Sequence, residues 1–166
     1  MRLTDDVYLI GGGVINGFGL SEGMDSHIYA IDGGGELALI DCGMATLGSI
    51  DRIIANLEND GLNPKKISKI FITHFHIDHC GGLAEWEKRF QVVSYVNSAA
   101  QEYLLTGDIE ATGFRVAQAD GLYPQDYIFT PPKNTEALSD GEIVKVGSMI
   151  VTNISSPGHC LGHSCY

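Results

Sequence analysis

Apolar positions change period along this chain, from two to about 3.6 and back, and the changes mark its elements. Val7 to Ile10 is a short apolar run that breaks at Gly11-Gly12-Gly13. His27 to Ile31 and Leu37 to Ile40 flank Gly33-Gly34-Gly35, so the first third predicts successive antiparallel strands with a glycine hairpin loop. From Thr46 to Asp60 the residues Leu47, Ile50, Ile53, Ile54 and Leu57 recur at helical spacing, and Gly61 supplies a stop. Lys69 to Thr73 is short, β-branched and apolar, which predicts a buried strand delivering the chain directly into His74. Leu83 to Phe90 then predicts a helix and Val92 to Val96 the next strand, the alternation of an α/β layer. Asn97 is placed to cap a helix running to about Leu105.

Between Gly107 and Lys133 the periodicity weakens, aromatics scatter, and Pro124, Pro131 and Pro132 interrupt any regular element. The expectation for residues 107–133 is a partly helical insertion over the functional site, where selectivity often resides. Ile143 to Val146 and Met149 to Ser155 predict two strands turning at Gly147-Ser148, and they lead into Pro157-Gly158-His159. No internal repeat, low-complexity tract or linker divides the chain, so a single domain is expected.

Composition narrows the function classes. With 166 residues, 44% hydrophobic and 19% charged, the chain can bury one real core. A formal charge of -11, with no Lys/Arg stripe, repels a polyanion and argues against a nucleic-acid partner. No stretch approaches the roughly 20 apolar residues that span a bilayer. The start, Met1 to Asp6, meets acid before a hydrophobic region could begin, so a cytoplasmic protein without signal peptide or membrane partner is expected. A small-molecule substrate remains. Cys42, Cys80, Cys160 and Cys165 are too few for a disulfide framework and are expected as free thiols.

The chemistry concentrates in Thr73-His74-Phe75-His76-Ile77-Asp78-His79-Cys80-Gly81-Gly82. An extended HxH places alternate side chains on one side, so His74 and His76 can reach one ion while Asp78 and His79 point elsewhere. That geometry suits two adjacent ions better than one. Zn²⁺ and Fe²⁺ favour imidazole and accept carboxylate. Two such ions about 3.5–4 Å apart can share a hydroxide that is nucleophilic at neutral pH and can polarise a scissile carbonyl or phosphoryl oxygen. Gly81 and Gly82 would let backbone pass close to the ions. His27, alone on a strand, reads as a structural histidine.

A second cluster runs from Pro157 to Cys165. His159 follows a strand end, as His74 does, and would give the first ion three histidines with a position left for water. His163 is open between a supporting role and substrate contact. A rival arrangement, Cys80 with Cys160, His163 and Cys165 as a closed zinc site, lacks the CxxC spacing of such sites.

With these residues in view, the chain resembles the metallo-β-lactamase superfamily. The matching elements are the Asp41-Cys42-Gly43 turn, the HxHxDH segment from His74 to His79, and the PGHxxGH segment from Pro157 to His163. The resemblance implies an αββα sandwich with a metal site at one edge and hydrolysis of an ester, thioester, lactone, amide or phosphodiester. It looks like His74, His76 and His159 on a first divalent ion and Asp78 and His79 on a second, with zinc favoured over iron or manganese. Asp78 is then the catalytic residue that orients the attacking water or manages its proton. Asp41 either braces the site or simply makes a turn.

The PGHxxGH form is most similar to glyoxalase-II-like and lactonase-like hydrolases of small molecules. His76 stands where flavodiiron proteins carry a glutamate, and the acidic balance counts against the nuclease branches. A persulfide-dioxygenase-like branch with one iron is the alternative oxidoreductase, and a non-catalytic metal-binding fragment is a third reading. The family pattern continues with a bridging aspartate and a final histidine, neither of which occurs before Tyr166. The expectation is therefore a truncated sandwich, with the second ion held more weakly than the first. A homodimer is expected to cover the open apolar face.

Overall fold

Six strands lie in chain order in one sheet: β1 (Val7–Gly11), β2 (Ile28–Asp32), β3 (Leu37–Ile40), β4 (Ile67–Ile72), β5 (Val93–Asn97) and β6 (Thr135–Leu138). The computed structural model describes residues 1–13, 19–21 and 23–166. The β1–β2 pair is antiparallel, β2–β3 is antiparallel across the glycine loop at 33–35, and from β3 onward every pair is parallel. Parallel neighbours need long crossovers, which here carry the helices. They are α1 (Ser49–Asn59), α2 (Ile77–Cys80), α3 (Leu83–Phe90), α4 (Gln101–Thr106) and α5 (Phe114–Ala119).

Strand alternation divides the core into two layers. Ile70 and Ile72 of β4 join Ile53, Leu57 and Trp86 in the larger cluster with the helices. Phe71, between them, faces the other side with Ala38, Tyr95 and Leu138. There it meets Val146 and Val151 of a second, antiparallel hairpin, β7 (Ile143–Val146) and β8 (Met149–Thr152). The order helix layer, sheet, hairpin matches the metallo-β-lactamase fold expected. The hairpin covers the Phe71 face of the sheet, and on its own outward side Ile143 and Ile150 are 56% and 59% exposed. Among the described residues no helix is long and apolar enough to cross a membrane.

The structure corrects three local readings. Helix α1 begins at Ser49, not Thr46, because Gly48 adopts φ 79° and the preceding residues form a loop. Asn97 is not a helix cap: Ala100 occupies that position. Asn97 instead accepts from Ala99 N–H through Oδ1 and donates through Nδ2 to the hydroxyls of Ser155 and Ser164. The predicted strand from Met149 to Ser155 breaks at buried Asn153, whose N–H donates to Glu142 O and whose amide donates to Ser139 O. Beyond the break, β9 (Ile154–Ser155) pairs with β10 (Ser164–Cys165).

Glu36 fastens the two layers together. Its carboxylate accepts from Lys69 and Ser68 of β4 and, at 2.7 Å, from Gly147 N–H in the β7–β8 turn. Burial pushes this carboxyl up, but those donors outweigh it and bring it from 4.5 down to about 2. The folded value lies below the unfolded one, so the stabilisation is full above about pH 4.5 and disappears as pH falls toward 2. Glu36→Gln is expected to lower unfolding free energy by about 1–2 kcal/mol at pH 7, discounted for partial solvent screening. Urea unfolding of both proteins across this range checks it; a difference that stays constant with pH would contradict the assignment.

Candidate metal centre

The C-terminal ends of β3, β4 and β5 lie side by side at one sheet edge, the position where open parallel sheets gather ligands. From β4 the chain passes through Thr73 and buried His74 and stays extended to His76, at φ -69° and ψ 144°. It then winds into α2, which carries Asp78 and His79. The turn between β9 and β10 brings in His159.

Three imidazoles converge on one point. His76 Nδ1 lies 3.1 Å from His74 Nε2 and 3.0 Å from His159 Nε2. Among the described residues, these three form the group whose ligand atoms could hold a metal ion, all within 4.8 Å of one another. Nitrogens bound to one tetrahedral ion at about 2.0–2.1 Å stand roughly 3.3 Å apart, so the spacing fits a shared ion. Burial, followed by the neighbouring imidazoles, holds His74 neutral with its pKa near 2, and the same causes lower His76. Neutral imidazoles present the lone pairs that a cation requires.

Thr73 and Asp41 orient this group from behind. Thr73 Oγ1 stands 3.0 Å from His74 Nδ1 and donates to Asp41, leaving His74 Nε2 toward the other histidines. Asp41 turns out of β3 at φ 61°, a left-handed conformation that aspartate tolerates better than most residues. Its carboxylate accepts from Thr73 N–H at 2.8 Å and faces His79 Nδ1 at 2.7 Å. Asp41 thus both makes the turn after β3 and touches Thr73 and His79.

His79 Nε2 faces Asp78 Oδ2 at 3.3 Å. Burial disfavours both charges, but each group outweighs that penalty for the other: His79 is raised by Asp41 and Asp78, and Asp78 is lowered by His79 and the Tyr123 hydroxyl. A cation beside Oδ2 and Nε2 would take the place of the His79 proton. His163 sits at the edge, its ring 5.1 Å from that of His74 and its Nδ1 2.8 Å from Ser156 Oγ.

Other expectations resolve differently. Gly81 and Gly82 do not serve as clearance for ions: a Cβ on Gly81 would lie 2.5 Å from Tyr127 Oη, and one on Gly82 3.1 Å from Cys42 O. Gly82 lets the start of α3 pack on the loop after β3, and Gly81 makes room for the Tyr127 hydroxyl. The thiol site does not assemble; Cys80 Sγ is turned to Phe75 O and exposed Cys165 lies beside Ser156. His27 lies outside the cluster, edge-on to Tyr29.

Several supporting residues were not singled out from sequence. Ser26 donates both N–H and hydroxyl to the Asp78 carbonyl. Buried Asp25 accepts from Ser21 Oγ and Met44 N–H, fixing the loop that begins at Asp41. Tyr123 donates to Asp78 Oδ1. Isolated serines, aspartates and tyrosines carry no spacing signal.

A profile of the metallo-beta-lactamase superfamily matches residues 22–166. An uncharacterised protein of Mycobacterium leprae is 28% identical over 142 residues, covering 84% of this chain and 60% of that protein. A hydroxyacylglutathione hydrolase of Dechloromonas aromatica is 30% identical over 142 residues, covering 86% of this chain and 40% of the enzyme. The crystal structure of a subclass B3 metallo-beta-lactamase of Bradyrhizobium japonicum superposes with a TM-score of 0.76 at 24% identity, over 99% of this chain and 54% of that one. The chain thus spans between two fifths and three fifths of the length of these proteins.

Proposed function

The chain belongs to the metallo-β-lactamase superfamily, and from that premise we propose that it supplies the metal-binding part of a hydrolase acting on the carbonyl of a small ester, thioester or lactone. The observation that carries this is the approach of His74 Nε2 and His159 Nε2 to His76 Nδ1, next to the Asp78–His79 pair. His74, His76 and His159 would hold one divalent ion, and Asp78 with His79 a second. The nitrogen-rich donor set favours zinc. Ions so held supply Lewis-acid polarisation of a carbonyl and a water that is nucleophilic at neutral pH.

The chain's own residues do the rest. Asp41 fixes His79 through Nδ1, which leaves Nε2 facing the site. Asp78 Oδ2 points toward the same space and is the group placed to orient the attacking water and accept its proton. The hydroxyacylglutathione hydrolase relative supports an acyl substrate, the thioester among them.

The test is hydrolysis of an acyl-glutathione thioester, a lactone and a β-lactam by zinc-loaded protein and its Asp78→Ala variant. Loss of a general base of this kind is expected to lower the rate by roughly 10²–10⁴-fold. Turnover unchanged in the variant would defeat the role of Asp78. Iron as the bound metal, with oxygen uptake on a thiol, would replace hydrolysis by oxidation.

A further inference from the structure

Segment 107–133 meets the candidate metal centre at the Tyr123 hydroxyl. Tyr123 Oη donates to Asp78 Oδ1 at 2.7 Å, and its ring stacks on Phe114 of α5 with centroids 5.8 Å apart. A second tyrosine, Tyr127, clips the same segment to the loop after β3 by donating to Met44 O at 3.0 Å, a bond to backbone and not to a candidate ligand. Asp78 is thereby held at three points. Ser26 takes its backbone carbonyl, Tyr123 takes Oδ1, and Oδ2 is left facing His79 Nε2 at 3.3 Å.

A free carboxylate can offer a cation either oxygen, or both, by rotating about χ2. A donor on one oxygen removes that choice, and the spacing of the remaining oxygen from His79 Nε2 is close to the edge of a tetrahedron around one ion. We propose that Tyr123 is a positioning residue, whose hydroxyl aims Asp78 Oδ2 at the second cation and so couples the order of segment 107–133 to occupancy of that site. The proposal rests on the two-ion reading above. Coupling of this kind is reciprocal: a residue that favours binding of the ion is itself held in place by it.

The experiment compares wild type, Tyr123→Phe and Tyr127→Phe by zinc titration against a competing chelator, with Co²⁺ spectra to identify the site being filled. Phenylalanine keeps each ring and removes only the hydroxyl. Tyr123→Phe is expected to weaken the second binding step by about 10–100-fold, the usual effect of losing a partner of a ligating carboxylate, and to leave the first step unchanged. Tyr127→Phe is expected to leave both steps as in wild type. Hydrogen exchange in 107–133 should slow on filling the second site in wild type, and much less in Tyr123→Phe. Equal second-step affinity in wild type and Tyr123→Phe overturns the proposal alone, and so does a parallel loss in both variants, which would mean a loosened segment. A wild-type chain that takes up a single ion overturns the two-ion reading itself, and this proposal with it.

Discussion

Alanine at position 76 is expected to remove the first bound cation altogether. The reason is geometric: His76 Nδ1 is the atom that both His74 Nε2 and His159 Nε2 approach, at 3.1 and 3.0 Å, so it is the common vertex of the ligand set. Losing a supporting contact behind a ligand typically costs 10–100-fold in metal affinity or activity, and losing the shared ligand must cost more. His76 is half-buried on an extended stretch, so the fold should survive the change. The clearest measurement is the stabilisation conferred by zinc. At a free concentration 100 times its dissociation constant an ion adds about 2.7 kcal/mol to the unfolding free energy. At the same concentration His76→Ala should lose the increment due to the first ion. If the variant kept wild-type stoichiometry and affinity, the three-histidine assignment would be wrong.

His74, His76 and His159 come together as their placement after strand ends suggests, for a reason that lies in the chain's local geometry. An HxH segment directly after a buried strand has its side-chain directions set by the backbone alone, so His74 and His76 share a side before any tertiary contact is considered. The alternation in β4 and the spacing in α1 follow from the same periodicities, and both elements are where the pattern put them within a few residues. What escaped the sequence depends on partners distant along the chain. Thr135 to Leu138 carries no run of β-branched or aromatic residues and becomes a strand because β5 offers it a parallel edge. Asn97 has the side chain of a helix cap, yet it is drawn to Ser155 and Ser164, 58 and 67 residues away. Tyr123 reaches Asp78 across 45 residues. Such contacts have no period and leave no spacing to read.

The largest effect on folding is expected at Trp86. The side chain is fully buried in the cluster between the helices and the sheet, and it packs on Phe90 with ring centroids 5.3 Å apart. Truncating a buried tryptophan to alanine costs about 3–5 kcal/mol in lost burial and residual cavity. Trp86 Nε1 also donates to Cys42 O at 3.2 Å, so the change leaves a buried carbonyl without that donor, a further penalty of about 1–3 kcal/mol if water cannot replace it. Against a domain stability of about 5–15 kcal/mol, Trp86→Ala should bring the chain close to unfolding at room temperature. Trp86→Phe removes the N–H together with part of the ring, so it loses the hydrogen bond but much less of the packing than Trp86→Ala does. Cys42 lies between Asp41 and Gly43, and its own N–H donates to His79 O at 2.8 Å. The lost hydrogen bond therefore loosens the loop that presents Asp41 to His79. Denaturant unfolding should show Trp86→Phe between wild type and Trp86→Ala, while zinc affinity in the phenylalanine variant falls although most of its core remains. Affinity unchanged in Trp86→Phe would mean that the loop's remaining hydrogen bonds, among them Cys42 N–H to His79 O and Met44 N–H to Asp25, hold it without the indole, and that the tryptophan serves the core and not the metal centre.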